Sequence, residues 1–419
     1  MSKYIIYGGK KLKGTINVPT SKNATLPILA GSILAKNEVV LKNLPQFKDV
    51  LKMEKILKHL GCKIKKENNK TIINTEELNT CFIPNNLTNE IRSSIFMLGP
   101  MLAKFKKARI SFPGGCNIGI RPIDLHIKGL KALNVKIFEE HGYLNCDASF
   151  MKGADIHLDF PSVGATENLM MASLSAKGKT RIFNPAKEPE IIDLQNFLVK
   201  MGAKISGAGT NVITVYETNL NNLKHICYTP IPDRIISGTY LIAGAITGGN
   251  ITLNNCIPAH FNTLTDILIK TGCKITTFKN KVHLISPKKL KSFGKIETMP
   301  YPGFATDLQS QLTTLASILN GVSIVKENIF ECRFRYVPEL IKMGANINVN
   351  NNIAVVEGKN ELLGADVFAT DLRGGVSLVL AGLNAKGYTT VNEIEFIERG
   401  YFNLEKDLQS LGADIKKVE

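Results

Sequence analysis

One internal repeat limits what this chain can become. The pentapeptides LGCKI (60–64), LNVKI (133–137), MGAKI (201–205), TGCKI (271–275), MGANI (343–347) and LGADI (411–415) begin 73, 68, 70, 72 and 68 residues apart. Each closes a helical pattern, such as DVLKMEKILKHLG at 49–61, in which apolar residues recur every three or four positions up to a glycine or asparagine stop. The apolar step after that stop begins a strand. Upstream of each pattern lies another helix lined with small residues, then a β-branched strand, as in SGTYLIAGAITGGNITLNNC (237–256) and GVSLVLAGLNAKGYTTVNEI (375–394). Small residues let such a helix pack closely. A short strand pair follows the pentapeptide, as in TIINTEELNTCFIP (71–84). The unit therefore reads as helix, strand, helix, then two or three strands, six times over.

The sixth copy is cut short, because only KKVE follows LGADI. The N-terminal YIIYGGKKLKGTINVP resembles the missing strand pair, so residues 1–21 are expected to complete the sixth unit. Three units per domain then give residues 22–230 as one domain and 1–21 with 231–419 as the other. At 419 residues the chain exceeds one ordinary core, in keeping with that division. The chain would cross between domains near Thr20–Lys22 and near Thr229–Arg234, a natural hinge over a cleft.

Composition narrows the function. No apolar stretch suits a signal peptide or a transmembrane span. Eight cysteines without CxxC spacing point to a reducing cytoplasm and away from structural zinc. The net charge of +16 fits either a nucleic-acid binder or a lysine-rich surface around a site for an anionic small molecule. Lysines spread along the whole chain, with no arginine-rich tail and no basic–aromatic cluster, favour the second. GGKKLKG (8–14) lacks P-loop spacing, and the seven histidines form no metal-binding motif. His126 reads as a packing and capping residue.

The copies differ at their edges. Ser21, Lys22 and Asn23 open the first unit, and Arg92 opens the second. SVGAT (162–166) opens the third and PDRI (232–235) the fourth. ATDLQSQ (305–311) and ECRFR (331–335) mark the fifth, TDLRGG (370–375) and ERGY (398–401) the sixth. The second unit also carries FPGGCNIGIRPIDLH (112–126), where Pro113, Gly114, Gly115 and Gly119 surround Cys116 in a stretch no helix or central strand would choose. An arginine fork suits planar carboxylate or phosphate, so Lys22, Arg121, Arg373 and Arg399 at such junctions would attract an anion. The alternative is structural pairing, such as Arg373 with Asp371.

SKNATLPIL (21–29), GGCNIGIRPIDLHIKGL (114–130), SVGAT, KEPEIIDL (187–194), FATDLQSQ (304–311), FECRFRYVPELIKMGA (330–345), ATDLRGG (369–375) and IERGY (397–401) closely resemble the UDP-N-acetylglucosamine 1-carboxyvinyltransferase (MurA) family of enolpyruvyl transferases. The resemblance runs from the first strand to the last helix. It implies an α/β fold of two inverse α/β barrel domains, with six βαβαββ repeats, three per domain. The glycine–cysteine loop separates this group from the shikimate-pathway enolpyruvyl transferase of the same fold.

The resemblance also implies a reaction. Phosphoenolpyruvate gives its enolpyruvyl group to the 3-hydroxyl of UDP-N-acetylglucosamine and phosphate leaves, by addition and elimination, with no metal and no cofactor. This is the first committed step of peptidoglycan synthesis. Cys116 would be the general acid toward the enol methylene and the sulfur alkylated by fosfomycin, with Asp307 the base at the sugar hydroxyl. A reference thiol pKa of about 8.5 suits such a proton donor, whereas nearby cations favour thiolate. Lys22, Asn23, Arg121 and Arg399 would hold phosphoenolpyruvate. Arg92, Arg121, Pro122, Ile123, Asp124, Leu125, Ser162, Val163, Gly164, Asp307 and Ile329 would contact the nucleotide sugar. The chain departs from the family at Phe160 and Pro161, where a lysine is frequent, and in TSKNAT for GAKNAA. No sequence feature sets the oligomeric state.

Overall fold

The computed structural model describes residues 2–112, 118–119 and 122–419. In all six pentapeptides the second residue has a positive φ. Gly61, Gly202, Gly272, Gly344 and Gly412 lie between 88° and 114°, and Asn134 lies at 65°. That left-handed turn is nearly free of cost for glycine and tolerable for asparagine, so it ends the helix where the pattern stops. At Gly61 a Cβ would also stand 2.2 Å from the Glu77 carbonyl oxygen. The strands Lys63–Glu67, Lys136–Glu140, Lys204–Ser206, Lys274–Phe278, Asn346–Asn350 and Asp414–Val418 begin two residues later.

Each unit forms one four-stranded sheet with the spatial order first, second, fourth, third. In the second unit, Phe82–Ile83 runs parallel to Lys107–Ser111, which is antiparallel to Tyr143–Asp147, itself antiparallel to Lys136–Glu140. Helix Leu98–Phe105 connects the first two strands, and helix Asp124–Ala132 leads from the second to the third. A parallel pair requires such a crossover, and the antiparallel pair closes by a tight turn.

The two helices of a unit differ as their sequences do. The first is buried on nearly every side, by small and apolar residues in most units and by small and polar ones in Gln309–Ala316. In helix Arg234–Ile246, each residue from Ile235 to Ile246 is buried. The second keeps a solvent face, as in Lys48–His59, where the buried positions are Asp49, Val50, Met53, Glu54, Ile56 and Leu57. Small residues bring the first helices together: a Cβ on Gly99 would lie 2.3 Å from the Asn168 carbonyl oxygen on helix Val163–Ser173.

Residues 20–112 with 122–231 form one compact body, and residues 2–19, 118–119 and 232–419 form another. Each holds three of the sheets. The N-terminal segment is divided more finely than the sequence suggests. Lys3–Tyr7 completes the sixth sheet, lying between Tyr388–Asn392 and Asp414–Val418. Lys13–Asn17 leaves it and pairs parallel with Asn250–Asn254, as the first strand of the fourth unit. The turn that separates them is pinned at Gly8, where a Cβ would lie 2.0 Å from the Ala385 carbonyl oxygen, and at Gly9 with φ 86°. The first body closes in a similar way, with Ile226–Tyr228 running parallel to Glu38–Lys42. No described helix is long and apolar enough to cross a membrane.

Ile6 is fully buried in the middle strand of the sixth sheet. Ile6→Ala removes core volume that the sheet cannot refill, and it is expected to cost about 2–5 kcal/mol. Urea denaturation followed by circular dichroism would measure this in a chain that has no tryptophan.

Candidate active site

In the second body, the 3-10 turn Thr306–Leu308 carries Asp307 into helix Gln309–Ala316. Two arginines grip its carboxylate. Arg333 donates from Nη2 to Oδ1 at 3.0 Å, and Arg373 donates from Nη2 to Oδ2 at 2.9 Å. The arginine side chains are 3% and 5% exposed, against 27% for Asp307. Charge-assisted bonds from two rigid donors fix where the carboxylate points. Arg333 also donates to the Thr306 carbonyl, at 3.3 Å from Nε and 3.0 Å from Nη2.

Arg373 does not pair with the Asp371 side chain through its guanidinium. Asp371 caps helix Leu372–Asn384, accepting the Arg373 and Gly374 backbone N–H groups at 3.0 and 3.1 Å. An N-cap carboxylate is drawn to orphan backbone donors, which leaves the guanidinium for Asp307 and for the Tyr401 hydroxyl, 3.3 Å away. Burial is the largest influence on Arg373 and opposes its charge. Asp307, then Tyr401 and Asp233, outweigh it and raise the guanidinium above its ordinary value. The Tyr401 hydroxyl also meets Thr239 Oγ1 at 2.7 Å. Arg399 ends the turn Ile397–Arg399, two residues before Tyr401, and is half-buried. Ile329, also half-buried, donates its N–H to Glu327 Oε1 at 2.8 Å.

In the first body, Ser21 caps helix Lys22–Gly31 by accepting the Ala24 N–H at 3.3 Å. Lys22 is therefore the first helical residue, with half-buried Asn23 beside it. The Lys22 ammonium meets Asp49 Oδ2 at 3.2 Å, and both residues are buried. Burial of this kind holds a lysine in one place at a desolvation cost that the carboxylate offsets.

The first body also carries the proposed nucleotide-sugar residues from Arg92 to Gly164, Arg121 apart, while Asp307 and Ile329 belong to the second. Arg92 opens the 3-10 helix Arg92–Met97, Asp124 opens helix Asp124–Ala132, and Ser162 caps helix Val163–Ser173 by accepting the Ala165 N–H at 3.3 Å. His126 and Asn168 tie these three starts together. Asn168 Oδ1 accepts the Gly99 N–H at 2.7 Å, which orients the amide. Its Nδ2 then donates to the Ile95 carbonyl and to His126 Nδ1, both at 2.9 Å. A ring nitrogen that accepts carries no proton, so neutral His126 holds its hydrogen on Nε2. That nitrogen lies 3.3 Å from where a Cβ on Gly164 would stand, with Phe96 at the same distance. Pro122 and Asp124 are exposed at this corner, Leu125, Ser162 and Val163 are half-buried, and Ile123 is buried. Phe160 is exposed beside Pro161.

Cys116 and Arg121 lie outside the described residues. Among the other cysteines, Cys62, Cys146, Cys256 and Cys273 are buried, and Cys81 and Cys227 are half-buried. Burial pushes the Cys62 and Cys146 thiols up to about 12 and Cys256 up to about 11. Cys332 is exposed. It sits in the turn before helix Val337–Lys342, where Arg333 and Phe334 take the buried positions. Asp49 opens a helical pattern read from the sequence only for its apolar spacing, and Asn168 belongs to no motif read there. Their signal is a polar side chain at a core position of its helix. Among the described residues, no group of three or more His, Cys, Asp or Glu side chains could hold a metal ion.

Residues 6–408 match the family model described as EPSP synthase (3-phosphoshikimate 1-carboxyvinyltransferase). Over 418 residues and the whole of both chains, the protein is 49% identical to UDP-N-acetylglucosamine 1-carboxyvinyltransferase 2 of Caldanaerobacter subterraneus. It is 46% identical to the protein of the same name in Clostridium tetani, again over the whole of both. Among solved structures, the enolpyruvyl transferase NikO from Streptomyces tendae superposes with a TM-score of 0.89 at 23% identity, covering 99% of this chain and 98% of that one. EPSP synthase from Acinetobacter baumannii gives 0.78 at 18%, covering all of both chains. At those identities the two structures speak for the fold.

Asp307→Ala would leave two buried guanidinium groups without their carboxylate. A fully buried pair broken this way loses about 3–5 kcal/mol, and partial exposure of Asp307 brings the expectation down to about 2–3 kcal/mol. Chemical denaturation of the variant would test this, with Asp307→Asn expected to lose less.

Proposed function

The chain belongs to the UDP-N-acetylglucosamine 1-carboxyvinyltransferase family of enolpyruvyl transferases, and from that premise we infer that it moves the enolpyruvyl group of phosphoenolpyruvate onto the 3-hydroxyl of UDP-N-acetylglucosamine, releasing phosphate. In the addition step, the sugar oxygen bonds to C2 of phosphoenolpyruvate while a proton arrives at C3. In the elimination step, that methyl group loses a proton and the C2–O bond to phosphate breaks. Asp307 takes the hydroxyl proton in this reading, and Cys116 supplies the proton to C3. Lys22, Asn23, Arg121 and Arg399 hold the phosphate and carboxylate of phosphoenolpyruvate. The first-body corner from Arg92 through Gly164 takes the nucleotide, with Ile329 against the sugar.

The observation that carries this reading is the grip on Asp307. A base must be held within reach of one proton, and two guanidinium groups on separate elements do this for its two oxygens. Lys22, locked by its helix start and by Asp49, supplies a fixed cation for an anionic substrate. Both substrates are multiply charged and do not cross an apolar layer unaided, which supports a cytoplasmic site of action in peptidoglycan precursor synthesis, on which cell shape and division depend.

Phosphate release from phosphoenolpyruvate is expected only when UDP-N-acetylglucosamine is present. Release without the sugar nucleotide, or only with shikimate 3-phosphate, would overturn the assignment. Asp307→Ala, assayed where it remains folded, is expected to lose about 10²- to 10⁴-fold in turnover. A variant with near wild-type kcat would remove Asp307 from the role of base.

Cys116→Asp retains an acid that can donate a proton but has no sulfur to alkylate. It is expected to turn over and to resist the epoxide fosfomycin. Peptide mapping of the wild-type protein after brief exposure should find the adduct on Cys116. An adduct mainly on exposed Cys332 or half-buried Cys227 would refute this placement.

A further inference from the structure

Immediately after strand Val322–Lys326, Glu327 is 2% exposed. Its carboxylate takes four hydrogen bonds from three separate segments. Oε1 accepts from Thr298 Oγ1 at 2.9 Å, from the Ile329 N–H at 2.8 Å and from the Phe330 N–H at 3.1 Å. Oε2 accepts from Thr306 Oγ1 at 2.9 Å. A carboxylate offers about four acceptor sites and no donor, so this set of neutral donors matches it in number and kind. Its own backbone is anchored too, since the Glu327 N–H bonds the Asn352 carbonyl at 2.8 Å and Asn352 Nδ2 returns to the Glu327 carbonyl at 3.0 Å.

We propose that Glu327 is a positioning residue for the transfer reaction, setting the turn that carries Asp307 and the turn that carries Ile329 in one fixed relation. The proposal rests on the reading of Asp307 as the base. Thr306 is the link. Glu327 holds its hydroxyl, while Arg333 holds its carbonyl and the adjacent Asp307 carboxylate. With Glu327 removed, Arg333 and Arg373 still orient the Asp307 carboxylate, and Arg333 still joins the turn to the segment after Ile329, but the link from the Thr306 hydroxyl to the Ile329 N–H is lost. The proton-accepting oxygen would then drift relative to the sugar contact. Small misplacements of a reacting group carry large rate penalties, up to about 10²-fold for 1 Å.

Glu327→Gln keeps shape and removes charge. Its amide oxygen must serve three donors, and its NH₂ meets the Thr306 hydroxyl, so the clamp loosens without a cavity. Turnover is expected to fall about 10-fold or more and KM for UDP-N-acetylglucosamine to rise, while KM for phosphoenolpyruvate stays within about twofold. Thr306→Val, which loses only the hydroxyl at the other end of the link, should reproduce the turnover loss even if Glu327→Gln folds poorly. The deciding measurement is a double-mutant cycle with Asp307→Asn. If Glu327 acts through Asp307, adding Glu327→Gln to Asp307→Asn should change kcat less than about twofold. Equal losses in both backgrounds, or Glu327→Gln and Thr306→Val both within about twofold of wild type in kcat, would overturn the proposal. Wild-type turnover in Asp307→Asn alone would instead defeat the reading of Asp307 as base. In that event, any loss that Glu327→Gln causes in the Asp307→Asn background counts against the positioning role as well.

Discussion

The first helix of every unit is buried along its length, and a buried helix cannot leave its leading N–H groups to water. Four of the six solve this with a capping side chain: Ser21, Ser162, Asp233 and Asp371. The other two, Leu98–Phe105 and Gln309–Ala316, are entered through the 3-10 turns Arg92–Met97 and Thr306–Leu308. These six entries are where the units stop being alike. Lys22 and Asn23, Arg92, Val163 and Gly164, Arg234, Asp307 and Arg373 stand one at each. A repeat that must place something polar at six equivalent points has six places to carry chemistry.

Carboxyl groups inside these bodies are handled in two different ways. Asp307 and Glu327 are surrounded by donors, charged in one case and neutral in the other, and each oxygen has a job. Glu167, in the interior of helix Val163–Ser173, is fully buried with no hydrogen-bond partner for either oxygen among the described residues. Burial, then Glu190 and Glu188, push its carboxyl well above the usual range. Desolvation favours the neutral acid there. The contrast separates a carboxyl that organises its neighbours from one that is merely accommodated.

Much of this was legible in the chain because it depends on local rules. The glycine or asparagine of each pentapeptide announces a left-handed turn, and uninterrupted small and apolar residues announce a helix with no solvent face. Partner choice was less legible. Lys13–Asn17 alternates as a strand should, but period-two alternation says which face is buried and not which sheet receives it. Arg373 stands two residues from Asp371 and bonds Asp307, sixty-six residues away, because Asp371 is engaged at the helix start. The family motifs brought out Lys22, Asp307 and Arg399. They passed over Asp49, Asn168 and Glu327, whose roles arise from burial that no short pattern encodes.

The two bodies then divide the proposed work according to what each can hold still. The first-body corner is fixed by a neutral chain, Gly99 to Asn168 to His126, so its described residues present shape and directed hydrogen bonds alongside the charges of Arg92 and Asp124. That suits discrimination of a nucleotide. The second body fixes Asp307 with two cations and its turn with an anion, so it presents a charged group in one orientation, which suits moving a proton. Neither arrangement alters the buried length of a helix. The residues that make the fold lie along that length and in the turn after the second helix, where glycine and small side chains leave little freedom to vary. Several residues proposed for the chemistry, Lys22, Asn23, Arg92 and Asp307 among them, lie instead at the helix entries, and this separation lets six similar units carry six different ends.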